Sequence, residues 1–163
     1  MNPSPPIFPP RILLVDDDTG IRKLVRRVLV RAGYEVAEST DGLNGLRQMR
    51  AGHFDLLITD LVMPDMDGLE LIRETRASRP EVPILAMSGG GKVPAPVYLR
   101  LAEVLGAGKV LAKPFEIPAL LQAVSILLER WTPQVPSSGR LDETADPGGL
   151  PERTAGSDVL RVS

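Results

Sequence analysis

Arg11-Ile12-Leu13-Leu14-Val15-Asp16-Asp17-Asp18 decides the fold: an apolar run stops abruptly on three carboxylates. An uninterrupted run of this kind is what a strand covered on both faces requires. The pattern returns twice. Leu56-Leu57-Ile58-Thr59 ends on Asp60, and Val110 to Ala112 ends on Lys113-Pro114. If the three runs are parallel strands, their C-terminal ends lie side by side and the carboxylates and the ammonium converge in one crevice. Three carboxylates and a lysine suit a hard divalent cation together with a phosphoryl group. The set points to a switch driven by phosphorylation of an aspartate.

Working outward, Ile21, Leu24, Val25, Val28, Leu29 and Ala32 recur at helical spacing after the first run and stop at Gly33, a suitable left-handed cap. Tyr34 to Glu38 reads as a second strand, and Asp41 as the N-cap of a helix through Leu43, Leu46, Met49 and Arg50. After the third strand, Met63 to Gly68 is a loop, followed by a helix ending near Ser78. Val82 to Met87 is the fourth strand. A loop rich in Gly89, Gly90 and Gly91 leads to a helix from Val97 to Leu105. The strand Val110 to Ala112 and a helix from Glu116 to Trp131 complete the series. Strands that alternate with helices favour a parallel sheet with right-handed crossovers. In the doubly wound order 2-1-3-4-5 the switch point lies between the first and third strands, where Asp16, Asp17 and Asp60 would meet.

Composition sets the outer bounds. The chain has 163 residues, 43% hydrophobic and 25% charged, which is ordinary globular usage. A formal net charge of −2 gives no global case for a nucleic-acid or membrane partner. No cysteine is present, which excludes disulfides, thiolate metal sites and a cysteine nucleophile. Residues 1–10 form a Pro-rich extension without the basic start and apolar core of a signal peptide. No apolar stretch approaches the roughly 20 residues needed to cross a bilayer. The protein is therefore read as soluble and cytoplasmic. Residues 132–163 are rich in Pro, Gly, Ser and Thr and are expected to be a disordered tail, since they bury too little apolar surface to offset ordering entropy. Residues 11–131 form the folded domain.

The motifs resemble the receiver domain of bacterial two-component response regulators, a flavodoxin-like fold. The resemblance rests on Ile12 to Asp17, on Asp60-Leu61-Val62-Met63-Pro64-Asp65-Met66-Asp67-Gly68, on Ala86-Met87-Ser88 and on Lys113-Pro114-Phe115. Four motifs in the right order, one βα unit or more apart, are highly specific. The resemblance implies that Asp60 is the phosphoacceptor and that Asp16 and Asp17 hold Mg²⁺ with Asp60 and the Val62 carbonyl. It implies that Ser88 reaches the phosphoryl oxygens in the active state, and that Lys113 pairs with the aspartate and then with its phosphate. It further implies a cis peptide before Pro114, a histidine kinase or histidine phosphotransferase as phosphodonor, and an unknown downstream protein target. With no output domain expected in the tail, a stand-alone receiver is the reading, and a non-switching module of the same fold is the alternative. Two departures motivate that alternative. Val110 stands where the family commonly has an aromatic, with Tyr98 a possible substitute or simply a packing residue, and the Gly89-Gly90-Gly91-Lys92 loop precedes the fourth helix.

Other readings are weaker. At least one of Asp16, Asp17 and Asp18 is expected to cap the first helix; Asp18 is taken as a solvent-facing loop residue, and an Asp17–Asp18 metal pair stays open if the first strand runs one residue longer. Asp65, Asp67, Gly68 and Glu74 imitate a calcium loop, but its first ligand position would be Met63. Arg22, Lys23, Arg26, Arg27 and Arg31 read as a solvated helix face, or more sharply as a docking face for a phosphodonor helix bundle. His53, the sole histidine, is read as a surface turn residue.

Overall fold

The computed structural model describes residues 8–89 and 94–130. Its elements alternate without exception: β1 (Arg11–Val15), α1 (Thr19–Arg31), β2 (Glu35–Ser39), α2 (Gly42–Ala51), β3 (Leu56–Asp60), α3 (Gly68–Ser78), β4 (Ile84–Ser88), α4 (Ala95–Leu105), β5 (Lys109–Ala112) and α5 (Ile117–Glu129). All pairings are parallel and the strand order is β2-β1-β3-β4-β5, as the alternation predicts.

The central strands show why continuous apolar runs were needed. Side chains alternate across a strand, so each strand supplies both faces. Ile12, Leu14, Leu56, Ile58, Leu85 and Met87 pack on one face with Val25 and Leu29 of α1 and Leu120, Val124 and Leu127 of α5. Leu13, Val15, Leu57, Ile84 and Ala86 pack on the other with Leu46 and Met49 of α2, Leu71 and Ile72 of α3 and Ala102 of α4. At roughly 1.5–3 kcal/mol for each fully buried aliphatic side chain, these two layers supply most of the driving force. The polar ends of the strands are carried to fixed positions by that packing.

Three helices begin on aspartates whose carboxylates accept an amide of the first turn: Asp18 from Ile21, Asp41 from Asn44 and Asp67 from Glu70. Gly33 follows α1 at φ 94, the left-handed conformation anticipated for it. Boundaries shift by one or two residues elsewhere. The second strand begins at Glu35 and not Tyr34. The fourth begins at Ile84 and not Val82, because Pro83 has no amide to give to the ladder. Helix α4 begins at Ala95 and not Val97, since Pro96 suits the first turn of a helix. The expectations for residues 1–7, for Gly90, Gly91 and Lys92, for Trp131 and for the tail over 132–163 fall outside the described residues. Among the described residues no helix is long and apolar enough to cross a membrane.

Candidate functional site

The site lies at the C-terminal ends of β1, β3, β4 and β5. Register brings its parts together: Val15 pairs with Thr59, Asp60 with Met87, and Ser88 with Ala112, so the residues that follow share one rim. Asp60 is the last residue of β3 and is 6% exposed. Asp16 is fully buried and Asp17 is exposed. Carboxylate oxygens of Asp16, Asp17 and Asp60 lie within 4.8 Å of one another. The Lys113 ammonium enters this group, 2.8 Å from Asp16 Oδ2 and 3.1 Å from Asp60 Oδ1. The sequence reading paired the lysine with the phosphoacceptor candidate; the structure gives Asp16 the shorter contact.

One ammonium does not balance three carboxylates. Burial pushes the Asp60 carboxyl up to about 6, the charges of Asp16 and Asp17 push the same way, and Lys113 pulls it back only in part. Burial pulls the Lys113 ammonium down, but the Asp16 hydrogen bond and the charges of Asp60 and Asp16 outweigh it and hold the group above its usual value. Hard oxygen donors, a shortage of positive charge and one exposed carboxylate facing solvent are what Mg²⁺ requires, given that it keeps several of its waters. The donor set therefore fits the cation that the resemblance implies.

The surrounding backbone is tight. Gly68 opens α3 directly over the end of β3, where its amide donates to Leu61 O at 3.0 Å. A Cβ at Gly68 would collide with the carbonyl oxygen of Asp60 and come within 2.7 Å of Leu61 Cα, so only glycine allows this approach. Val62 lies in the same loop, half-buried between Leu61 and Met63. Ser88 is buried at the end of β4, and its carbonyl accepts from the Lys113 amide at 2.9 Å. The Lys113–Pro114 peptide is cis.

Three residues do more than was read for them. Asp18 is exposed before α1, as expected, and it is the aspartate that caps the helix: its Oδ1 takes the Ile21 amide at 2.9 Å. With β1 ending at Val15, the carboxylates that come together are those of Asp16, Asp17 and Asp60. Arg22 does not belong to a solvated face. Its side chain is 12% exposed, with Nη1 donating to Asp16 O at 2.8 Å and Nε 3.4 Å from Glu38. Arg76 was not singled out at all. Its guanidinium donates to Gly106 O at 2.8 Å and Val82 O at 2.6 Å, tying α3 to the turn after α4 and to the approach of β4. A basic residue among apolar helix positions is the only local signal for either arginine, and it does not distinguish a solvated side chain from one that folds back.

Val110 is half-buried and packs against the same cluster as Tyr98, Leu99 and Leu105 of α4. Tyr98 thus has the packing role suggested for it. His53 pairs with Asp55 at 3.3 Å and is 54% exposed, in line with a surface turn.

Comparison with known proteins agrees with the geometry. The family model for the response regulator receiver domain matches residues 12–125. The chain is 37% identical over 125 residues to the transcriptional regulatory protein GlrR of Escherichia coli (strain K12), covering 77% of this chain and 28% of that protein. It is 36% identical over 145 residues to the response regulator MprA of Mycobacterium sp. (strain KMS), covering 86% of this chain and 61% of that protein. The chain thus spans less than two thirds of the length of these relatives. A receiver domain protein (CheY-like) from Methanospirillum hungatei JF-1 superposes with a TM-score of 0.69 at 29% identity, covering 74% of this chain and 94% of that one. The chemotaxis protein CheY4 of Vibrio cholerae gives 0.67 at 32% identity, covering 74% and 99%. With sheet order, motif positions and sequence identity in agreement, the chain belongs to the response regulator receiver domain family.

Proposed function

We propose that this receiver takes a phosphoryl group onto Asp60 from a phosphohistidine of a partner kinase or phosphotransferase, in a Mg²⁺-dependent reaction, and signals through protein–protein contacts. The observation that carries the reading is the convergence of Asp16, Asp17 and Asp60 within 4.8 Å, with Lys113 between two of them. An Asp60 carboxylate oxygen forms the new bond to phosphorus while the donor's P–N bond breaks. The electron pair leaves with the imidazole, which takes up a proton. Asp16, Asp17, Asp60 and the Val62 carbonyl would hold Mg²⁺, which screens the repulsion between the carboxylate and the anionic donor and stabilises charge during transfer. Lys113 neutralises Asp60 before transfer and a phosphoryl oxygen after it. The Ser88 hydroxyl then reaches a second phosphoryl oxygen. The domain catalyses only its own phosphorylation and loss of phosphate.

The exposed face of α1 carries Lys23, Arg26, Arg27 and Arg31, and no acidic residue lies on this helix. It begins at the crevice, so a donor that delivers phosphate to Asp60 passes over it, and an acidic helical surface would complement it. Output within this chain runs through the receiver surface or through relay of the phosphate to another histidine.

The test is intact mass after incubation with acetyl phosphate and Mg²⁺, beside Asp60→Asn. A phosphoryl-sized increase in the wild type only, abolished by EDTA, is expected. No increase at any Mg²⁺ concentration would sink the reading. Val110, in place of an aromatic, supports a second reading: a receiver that does not relay a change to its α4 face. A phosphorylated sample whose amide NMR spectrum is unchanged beyond the crevice would favour it.

A further inference from the structure

Two arginines of α1 share one carboxylate, and they do different things. Arg26 Nε lies 3.1 Å from Glu38 with a side chain 50% exposed, an ordinary surface ion pair. Arg22 Nε also faces Glu38, but its side chain is 12% exposed and its other arm continues inward to Asp16 O at 2.8 Å. The guanidinium is a planar fork, so holding it at two points fixes its orientation. A hydrogen bond from a charged donor to a carbonyl is also shorter and stronger than a neutral one.

Its target is the residue at the centre of the acidic loop. Every polar group of Asp16 is engaged. The amide donates to Ser39 O at 3.2 Å. Oδ1 accepts the Asp18 amide at 2.9 Å, and Oδ2 accepts Lys113 Nζ at 2.8 Å. The carbonyl accepts from Arg22 Nη1. That carbonyl belongs to the Asp16–Asp17 peptide, whose plane sets the direction in which the exposed Asp17 carboxylate leaves the backbone. We propose that Arg22 is a positioning residue for the acidic pair: by fixing the Asp16–Asp17 peptide from behind, it holds Asp17 ready for the cation and so sets Mg²⁺ affinity. Without it, the ordering of Asp17 becomes a cost of binding. The inference rests on the reading of Asp16 and Asp17 as the Mg²⁺ pair.

The experiment is a direct Mg²⁺ titration of the 163-residue chain, followed by amide NMR shifts of Asp16, Asp17 and Asp18, with no phosphodonor present. Removal of a group that orients metal ligands costs about tenfold or more in affinity, and Arg22→Ala is expected to raise the Mg²⁺ half-saturation by about that factor. Arg22→Lys, which keeps the charge and loses the fork, should fall between. Glu38→Gln keeps the bond to the Asp16 carbonyl and should stay close to wild type. If Arg22→Ala does not fold, Arg22→Lys and Arg22→Gln carry the same comparison. Arginine variants whose titrations superimpose on the wild type would overturn the proposal while leaving Mg²⁺ binding intact. A loss in Glu38→Gln as large as in the arginine variants would also overturn it, since the ion pair on β2 would then be the operative contact. Wild type without any Mg²⁺-dependent shift would overturn both this inference and the metal reading beneath it.

Discussion

At the N-terminal ends of β1, β2 and β3 acids and bases are matched, whereas at the C-terminal ends three acids crowd around Lys113. Asp55 Oδ2 accepts the Arg11 amide at 2.6 Å, and the Asp55 amide returns a bond to Arg11 O at 2.7 Å. His53 Nε2 lies 3.3 Å from Asp55, and Arg11 Nε lies 3.2 Å from Glu35. The Arg11 guanidinium also stacks 4.7 Å over the Phe54 ring. At the opposite end Asp16, Asp17 and Asp60 cluster, and Lys113 pairs with Asp16 and Asp60. The same residue types close the sheet at one end and leave negative charge unresolved at the other. Burial without full compensation costs stability, and it persists where a bound group removes the cost.

The largest test of this contrast removes the Lys113 ammonium. Lys113→Ala leaves the buried carboxylates of Asp16 and Asp60 without their ammonium partner and should destabilise the Mg²⁺-free protein by about 3 kcal/mol. Urea unfolding with and without Mg²⁺ checks it: much of the loss should return with saturating Mg²⁺. A loss indifferent to Mg²⁺ would mean that the lysine only packs.

A smaller effect follows from Asp60. Its folded value of about 6 lies above the ordinary 3.8, so the stability linked to its protonated form is fully present below 3.8 and is lost as pH rises through 6. Asp60→Asn removes that loss. In Mg²⁺-free buffer the variant should melt with the wild type near pH 4 and be more stable above pH 7, the difference growing as pH rises through 6. Thermal melts across this range decide it, and a difference that does not grow with pH would break the comparison. Added Mg²⁺ should narrow the gap by stabilising only the ionised site.

The smallest effects belong to the matched end. Asp55→Asn keeps an acceptor for the Arg11 amide and loses charge, so about 1 kcal/mol is expected. The exposed His53→Gln should cost under about 0.5 kcal/mol. Phosphorylation by acetyl phosphate, read by intact mass, should be unchanged in both. A slowed reaction in either would show that the two ends are linked through β1 and β3.

Much of this was readable beforehand because it depends on short stretches of chain. Apolar runs that end on Asp16, Asp60 and Lys113 mark parallel strands, since a strand buried on both faces has no polar residue until it emerges. Gly33 and Asp41 mark helix ends by backbone conformation and local capping. From strand order alone, Asp16, Asp17 and Asp60 were bound to meet. What only the tertiary structure decided is how individual side chains choose among partners far apart in sequence. Lys113 lies nearer Asp16 than Asp60, Arg22 turns inward while Arg26 stays out, and Arg76 bridges to Gly106. Each of those choices is set by rotamers and distances of a few ångströms, which spacing along the chain does not encode. The absolute need for glycine at position 68 arises in the same way, from the carbonyl of Asp60 lying where a Cβ would be.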